Sequence, residues 1–476
     1  MKFSLINASP NEELEDRERA RAIASLPPLG ILYLAAVLKG YGVEVSVLDQ
    51  PAKGLTVEEA ARWAEKEDPD ILGFSATGSS GKTAANICSK VKERNLGIIT
   101  VFGNHYATLN PDRILAKYPS VDVIVRGEGE HTVPELVDCL EKGGSLKDVK
   151  GITYRDQGRI ISTSDRPLIE DLDSLPFPDR SSIDSEYHCM IAGANVAPKK
   201  FTSIISSRGC VYRCRFCTCS QIASHRWRQR SVKNTLDELL LLTSQGYRQF
   251  IFTDDSFTTN SKRVIELCRA MRRERIDMDW ICEGRVDTCS YEMLWEMSKA
   301  GCKILLFGIE SANQRILDYY RKQTTPGQSE RAVKTARRAG IEIIVGSFIV
   351  GAPDESRQEI SNTIKFAKSM PIDLPQFNIL GVYPGMEIWN ELVGKGRLSP
   401  EEYWETGVPV PALSSSAVPH SEIRQMLREA LYEFLRRPHF ILEEMARTLR
   451  SGFRMNFVLN NLGRIRAIRE NIRSGA

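Results

Sequence analysis

Three cysteines, Cys210, Cys214 and Cys217, fall in the segment Ser207-Arg208-Gly209-Cys210-Val211-Tyr212-Arg213-Cys214-Arg215-Phe216-Cys217. Thiolates this close converge on one metal centre only if the chain between them loops around it. Soft sulfur ligands select iron–sulfur clusters, zinc or Cu(I). A structural zinc, or a cluster with four protein ligands, needs a fourth donor, and Cys219 and His225 are near enough in sequence to be considered. Three protein ligands on a four-iron cluster would instead leave one iron open to substrate or cofactor. The remaining eight of the 11 cysteines (Cys88, Cys139, Cys189, Cys219, Cys268, Cys282, Cys289 and Cys302) have no tight spacing partner outside 210–219 and read mainly as small buried apolar residues.

The bulk composition is that of a soluble globular protein. Of 476 residues, 42% are hydrophobic and 26% charged, with Lys+Arg 64 against Asp+Glu 61. A net charge of +3 does not mark a nucleic-acid binder, and no specific nucleic acid is expected. The longest clean apolar run, 31–38, is far below the ~18–20 residues a membrane span needs. The first residues read as a strand rather than a signal peptide. A cytoplasmic location follows, and cysteines in that setting are thiols or ligands rather than a disulfide framework.

The elements that must position these thiols alternate strand and helix. Strands are expected at 2–7, 43–49, 70–75, 97–103 and 121–127, with helices at 29–40, 57–66, 82–94, 111–117 and 130–141. Residues 1–150 therefore read as a doubly wound parallel sheet. Ligands of such sheets lie beyond the carboxyl ends of the strands, here Asp49 and the loops 75–80, 103–108 and 127–130. A hairpin and linker occupy 151–200. Six further βα units, with strands near 201–207, 249–254, 279–284, 303–309, 342–350 and 375–382, suit a (β/α)6 partial TIM barrel over 201–398. The rest, 399–476, reads as a helical C-terminal region broken at Pro438 and Gly452.

The Cys-x-x-x-Cys-x-x-Cys pattern, with aromatic Phe216 before the last cysteine and a place directly after the first barrel strand, resembles the radical S-adenosylmethionine superfamily. The resemblance implies a 4Fe-4S cluster on Cys210, Cys214 and Cys217 with one iron open to S-adenosylmethionine. It implies reductive cleavage to a 5′-deoxyadenosyl radical, which abstracts a substrate hydrogen. Further strand ends match in order. Asp254 and Asp255 fall where the family contacts the methionyl amino group, and Arg285 ends the third strand. Glu310 and Ser311 fall where a polar side chain reaches the ribose or carboxylate. Gly351 closes the strand that packs on adenine, and Tyr383 ends the sixth strand as a catalytic candidate.

The first domain resembles the cobalamin-binding subgroup through Pro27-Pro28-Leu29-Gly30-Ile31-Leu32-Tyr33-Leu34-Ala35 and Val123-Ile124-Val125-Arg126-Gly127-Glu128-Gly129-Glu130. Cofactor-binding residues implied on this side are Ser75, Thr77 and Ser79, then Gly103, His105 and Tyr106, then Gly127 and Glu128. There are departures. No Asp-x-His-x-x-Gly motif occurs, and Gly103-Asn104-His105-Tyr106-Ala107-Thr108 carries Tyr where the subgroup's Gly-Gly-x-His-Ala-Thr has His. The lower axial group of cobalamin is left open. Ala76-Thr77-Gly78-Ser79-Ser80-Gly81-Lys82-Thr83 competes as a relaxed phosphate loop, although its first Gly is replaced by Ala.

Residues 421–476 hold eleven Arg and no Lys against six Glu and no Asp, interleaved with Phe434, Phe440, Ile441, Leu442, Phe453 and Phe457. This suits a helical cap with a solvated arginine face; the same pattern suits a peripheral membrane surface. The leading expectation is a cobalamin-dependent radical methyltransferase acting at an unactivated carbon of a small-molecule or lipid substrate. Its electron would come from a low-potential donor such as a flavodoxin or ferredoxin. The alternatives are a radical cyclase, oxidoreductase or carbon–carbon coupling enzyme that uses cobalamin differently or not at all, or an iron–sulfur or ATPase regulatory module.

Overall fold

Short apolar runs with both faces buried build the first sheet. Strands β1 (Lys2–Asn7), β2 (Glu44–Asp49), β3 (Ile71–Ser75), β4 (Ile99–Gly103) and β5 (Val123–Val125) pair in parallel in the order β2-β1-β3-β4-β5. The computed structural model describes residues 1–10, 26–95, 97–407, 410–411 and 418–474. On one face Phe3, Leu5, Ile71, Val101 and Val125 pack against Ile31, Ala35 and Leu38 of the helix Leu29–Gly40 and against Val133 and Leu136 of Gly129–Glu141. On the other, Ile6, Leu72, Phe74 and Phe102 meet Ala60, Ala61 and Ala64 of Val57–Glu67 and Ala84, Ile87 and Val91 of Gly81–Arg94. Helices on both faces make the sheet doubly wound. Its neighbours switch sides at β1, which leaves a crevice at the carboxyl edge between β1 and β3.

Strand β5 is shorter than the expected 121–127. Arg126 turns away to donate its N–H to the Gly151 carbonyl, and Gly127 adopts φ 72°. The hairpin β6 (Ile152–Asp156) and β7 (Arg159–Ser162) then adds antiparallel to β5, with Val125 opposite Ile152, and extends the first sheet to seven strands. The following stretch carries only 3₁₀ turns and the small pair β8 (Met190–Ile191) and β9 (Ala194–Asn195).

The second sheet begins with β10 (Phe201–Ile204). A two-residue antiparallel pair, β11 (Ser207–Arg208) and β12 (Arg228–Gln229), precedes β13 (Gln249–Phe252), β14 (Asp279–Gly284), β15 (Cys302–Glu310), β16 (Ile343–Val350) and β17 (Leu374–Ile379). The six long strands run parallel in the order β10-β13-β14-β15-β16-β17, an arc with β10 and β17 at its edges and helices behind it. This is the (β/α)6 partial barrel expected from the alternation. Ile251, Ile281, Ile304, Ile343 and Val345 fill its interior, backed by Phe453 and Phe457 of the last helix.

Four helices, Pro400–Thr406, His420–Leu435, Pro438–Thr448 and Gly452–Ser474, form the C-terminal region, broken at Pro438 and Gly452 as expected. Arg454 anchors it below the barrel through Asp373 at 2.7 Å and is itself braced by Glu444 of the preceding helix at 2.6 Å. The core on the Ile6–Phe102 face does not stop at the first sheet. It continues through Ile316, Tyr320, Leu380, Val382, Trp389, Tyr403 and Trp404, so the first sheet packs directly on the loops and helices that follow the later barrel strands.

Candidate active site

The short pair β11 and β12 places Arg208 opposite Arg228 and so closes the loop 209–227 that bears the three thiols. Gly209 stands at φ 87°, where a Cβ would lie 2.1 Å from the Arg226 carbonyl oxygen, so no other residue fits there. Its N–H donates to Asp255 Oδ2 at 2.8 Å. Further along, Tyr212 lies under the Arg285 guanidinium, 3.4 Å from carbon to ring centre. The Arg215 N–H donates to the Tyr320 carbonyl at 3.0 Å. Its side chain reaches Glu387 at 2.9 Å and Glu391 at 2.5 Å. Phe216 meets Tyr320 edge-on at 5.1 Å, inside the shared core.

Cys210, Cys214 and Cys217 are half-buried on this loop and free of disulfides. Burial pushes the Cys210 and Cys214 thiols up, while Lys322 and Arg285 beside Cys214 favour its thiolate. A hydrogen bond with Cys219 holds Cys217 down to about 7 and pushes Cys219 up. No three His, Cys, Asp or Glu among the described residues are drawn together tightly enough to hold a single metal ion. Three thiols on one loop, with two cations set to offset thiolate charge, are a donor set that fits a four-iron cluster ligated at three corners.

The barrel's strand ends treat the other candidates unequally. Asp254 is buried, and both its oxygens are taken, by the Ser206 N–H at 2.8 Å and the hydroxyls of Ser206 at 2.7 Å and Ser207 at 2.5 Å. It shapes the exit from β10. Asp255 faces the open space beside Gly209 and Cys219. Arg285 forks onto Asp287 at 3.0 Å and donates to the Lys322 carbonyl at 2.8 Å. Glu310, at φ 66°, accepts from Lys322 Nζ at 2.7 Å, and a Cβ at Gly308 would fall 2.6 Å from its Oε1. Ser311 turns away from the mouth, fully buried 3.2 Å from Thr363 Oγ1. Gly351 donates its N–H to the buried Glu355, which burial pushes up to about 7. Tyr383 is half-buried beside the Thr218 hydroxyl, close to Cys217 and Cys219.

On the first-domain side a cleft of about 350 Å³ runs from the carboxyl edge down between sheet and helices. Phe3, Leu5, Leu34, Val101, Val125 and Val133 make its apolar wall, and Ser75, Gly103, His105, Gly127 and Glu128 stand at its edge. A Cβ at Gly73 would lie 2.6 Å from the Phe3 ring. The same cleft is bounded on the barrel side by Arg208, Gly209, Cys219, Thr253 and Asp255. A deep apolar slot opening on a polar rim fits the nucleotide tail and ring edge of a cobalamin. Burial lowers the pKa of His105, against the pull of Asp255.

Three candidates are not part of this wall. Tyr106 is buried behind it against Tyr403 and Trp404, with ring centres at 6.3 Å and 6.0 Å. Thr77 and Ser79 hydrogen-bond each other at 3.2 Å, outside the cleft lining. Nor is their loop shaped for phosphate. Ser80 Oγ accepts from the Thr77 N–H at 2.9 Å, and the Gly78 carbonyl accepts from Tyr403 Oη at 2.7 Å. Glu128, read as a cofactor contact, lines the cleft with its carboxylate already engaged. Arg208 donates to it at 3.0 Å, Arg228 at 2.8 and 3.0 Å, and the Ile169 N–H at 2.7 Å.

Sequence reasoning missed Arg208, Arg228, Tyr212 and Lys322. Arg208 and Tyr212 sit inside the quoted motif, so adjacency to the thiols was a usable signal. Arg228 and Lys322 come from positions with no motif, and only the fold brings them in.

Two family models match the chain: the radical SAM superfamily over residues 204–367 and the B12 binding domain over residues 20–137. An uncharacterized methyltransferase of Pyrococcus horikoshii is 36% identical over 420 residues, covering 88% of this chain and 90% of the relative. The anaerobic magnesium-protoporphyrin IX monomethyl ester cyclase of Rubrivivax gelatinosus is 29% identical over 472 residues, 94% of this chain and 82% of the relative. Among solved structures, the radical S-adenosylmethionine methyltransferase TsrM from Kitasatospora setae, with cobalamin and a [4Fe-4S] cluster bound, superposes with a TM-score of 0.69 at 16% identity. That match covers 91% of this chain and 89% of TsrM.

Proposed function

We propose that this chain, which belongs to the cobalamin-dependent radical S-adenosylmethionine methyltransferase family, methylates an unactivated carbon of a small-molecule substrate. The observation that carries this reading is the shared cleft. One cavity is walled by the strand ends of the first sheet and by Gly209, Cys219 and Asp255 of the barrel. When bound, the cluster, S-adenosylmethionine and cobalamin supply the radical and the methyl group.

The chain's own part is to hold, orient and enclose. Cys210, Cys214 and Cys217 are the ligands of the cluster, and Arg285 and Lys322 offset thiolate charge. Asp255 offers a carboxylate at the rim for the methionyl amino group, and the Glu310–Lys322 pair and the Gly351 backbone flank the nucleoside side. Ser75, Gly103, His105 and Gly127 receive the cobalamin. Tyr383, beside Thr218 and against Gly78 of the first domain, is assigned to touch substrate. The tightly packed shared core around this mouth keeps water from the reacting centre.

Partners follow from the same reading. A low-potential carrier such as a flavodoxin or ferredoxin would supply the electron to a cluster held by Cys210, Cys214 and Cys217. All eleven cysteines are free, in keeping with a reducing cytoplasm. No helix among the described residues is long and apolar enough to cross a membrane. Exposed Leu442, Met445 and Leu449 beside Arg450 supply a face for peripheral membrane contact.

The test is anaerobic reconstitution with iron, sulfide and cobalamin, followed by product mass. A gain of one methylene unit together with 5′-deoxyadenosine supports methylation. Unchanged or hydrogen-depleted mass favours the second reading, a radical cyclase or oxidoreductase, which the cyclase relative motivates.

A further inference from the structure

Glu128, after β5, and Glu130, in the first turn of the helix Gly129–Glu141, line the cleft, yet their carboxylates pair with arginines of the β11 and β12 pair. Arg208 bridges both, at 3.0 Å to Glu128 and 2.6 Å to Glu130, and Arg228 forks onto Glu128. These two arginines are the paired residues at the foot of the thiol-bearing loop, and Cys210 follows Arg208 by two residues. Arg208 also lies over the Tyr33 ring, 5.3 Å from its centre, and Tyr33 is another wall of the cleft. Arg208, Glu128 and Arg228 thus each touch the cleft on one side and the base of loop 209–227 on the other. The little exposure they keep, 16% for Arg208 and 13% for Glu128, sits in a group of cleft-lining side chains.

We propose that Glu128 is a positioning residue that makes the seating of the cluster loop depend on occupancy of the cobalamin cleft. This rests on the cobalamin reading above. The physical cause is local. A ligand filling the cleft displaces water from beside the ion pairs, and attraction between paired charges strengthens as the surrounding dielectric falls. The foot of the loop is held in place, because Gly209 packs closely against the Arg226 carbonyl and Asp255 accepts its N–H. A filled cleft therefore tightens the loop, and an empty one leaves its foot looser.

The test uses the full chain with its cluster assembled anaerobically and hydroxocobalamin as the probe. Amide hydrogen exchange across 209–227 is measured with and without it. In the unsubstituted protein the probe is expected to slow exchange roughly fivefold, the scale of one strengthened ion pair. Glu128→Gln should still bind hydroxocobalamin, followed by its absorbance, but lose that slowing. Arg208→Gln removes the opposite partner and should do the same, so one variant decides if the other fails to fold. Equal slowing in a folded variant overturns the proposal, as does loss of hydroxocobalamin binding in Glu128→Gln, which would make Glu128 a direct contact. Failure of the unsubstituted protein to bind hydroxocobalamin would instead sink the cobalamin reading itself, and this inference with it.

Discussion

The guanidinium carbon of Arg285, at the end of β14, sits 3.4 Å from the centre of the Tyr212 ring, so a barrel strand directly holds down the loop that carries the thiols. The same guanidinium is fixed by Asp287 and by the Lys322 carbonyl, which leaves the ring a rigid cation to rest on. Cation–π contacts of this kind contribute about 1–2 kcal/mol when partly desolvated. Tyr212→Ala should therefore assemble its cluster in lower yield and with a broadened electron paramagnetic resonance signal. Tyr212→Phe should match the unsubstituted protein, because the contact uses the ring face.

Cys219 is the thiol closest to confusing the ligand assignment, since it hydrogen-bonds with Cys217. It also lines the cleft. Cys219→Ala should retain iron and sulfide after reconstitution. Cys210→Ala, Cys214→Ala and Cys217→Ala should each lose them. Retention of a full complement in any of the three would remove that residue from the ligand set.

Glu355 is fully buried, and its pKa is pushed from 4.5 up to about 7 by burial, against two backbone N–H bonds from Gly351 and Ala352. A raised folded-state pKa means that the folded chain holds this proton where the unfolded chain has already released it. Its stabilising effect is therefore full below about pH 4.5 and is lost as pH rises towards 7. The swing is on the order of 3 kcal/mol. Glu355→Gln keeps an acceptor without the charge, so its thermal midpoint should change less between pH 5 and pH 7.5 than that of the unsubstituted chain.

The loop 76–83 has the spacing of a phosphate loop but spends its groups internally, on Ser80 and on Tyr403. Lys82 is half-buried beside Gly407, and Lys82→Ala should leave product formation under saturating S-adenosylmethionine without a large loss. Calorimetric titration of the unsubstituted chain with ATP and magnesium should give no binding heat. Measurable binding would restore the nucleotide reading of this segment.

Much of the architecture was legible because period and polarity agree with burial. The run Lys2–Asn7 is a strand over the span expected, and helices 29–40 and 111–117 likewise end where their patterns end. The thiol loop was legible because its spacing is local. What escaped is whatever depends on where an oxygen points. Asp254 and Asp255 are adjacent and chemically equal in the sequence. A two-residue strand pair gives the first to Ser206 and Ser207 and the second to the mouth. Glu128 has the composition of a cofactor contact and the geometry of a clamp, because its partners Arg208 and Arg228 are 80 and 100 residues away. Tyr106 shares a motif with His105 but faces the opposite way, since the short helix His105–Leu109 turns one ring into the core as it leaves the other at the cleft.

The apolar cluster that joins the first sheet to the segments after the barrel strands has a consequence for how this protein comes into being. Ile6, Phe74 and Phe102 from the start of the chain are in one packed cluster with Trp389 and Tyr403 from near its end. The amino-terminal half emerges from the ribosome long before its packing partners and waits with oily surface uncovered. Swinging the halves apart afterwards would expose that surface again, so the finished particle keeps its two halves together.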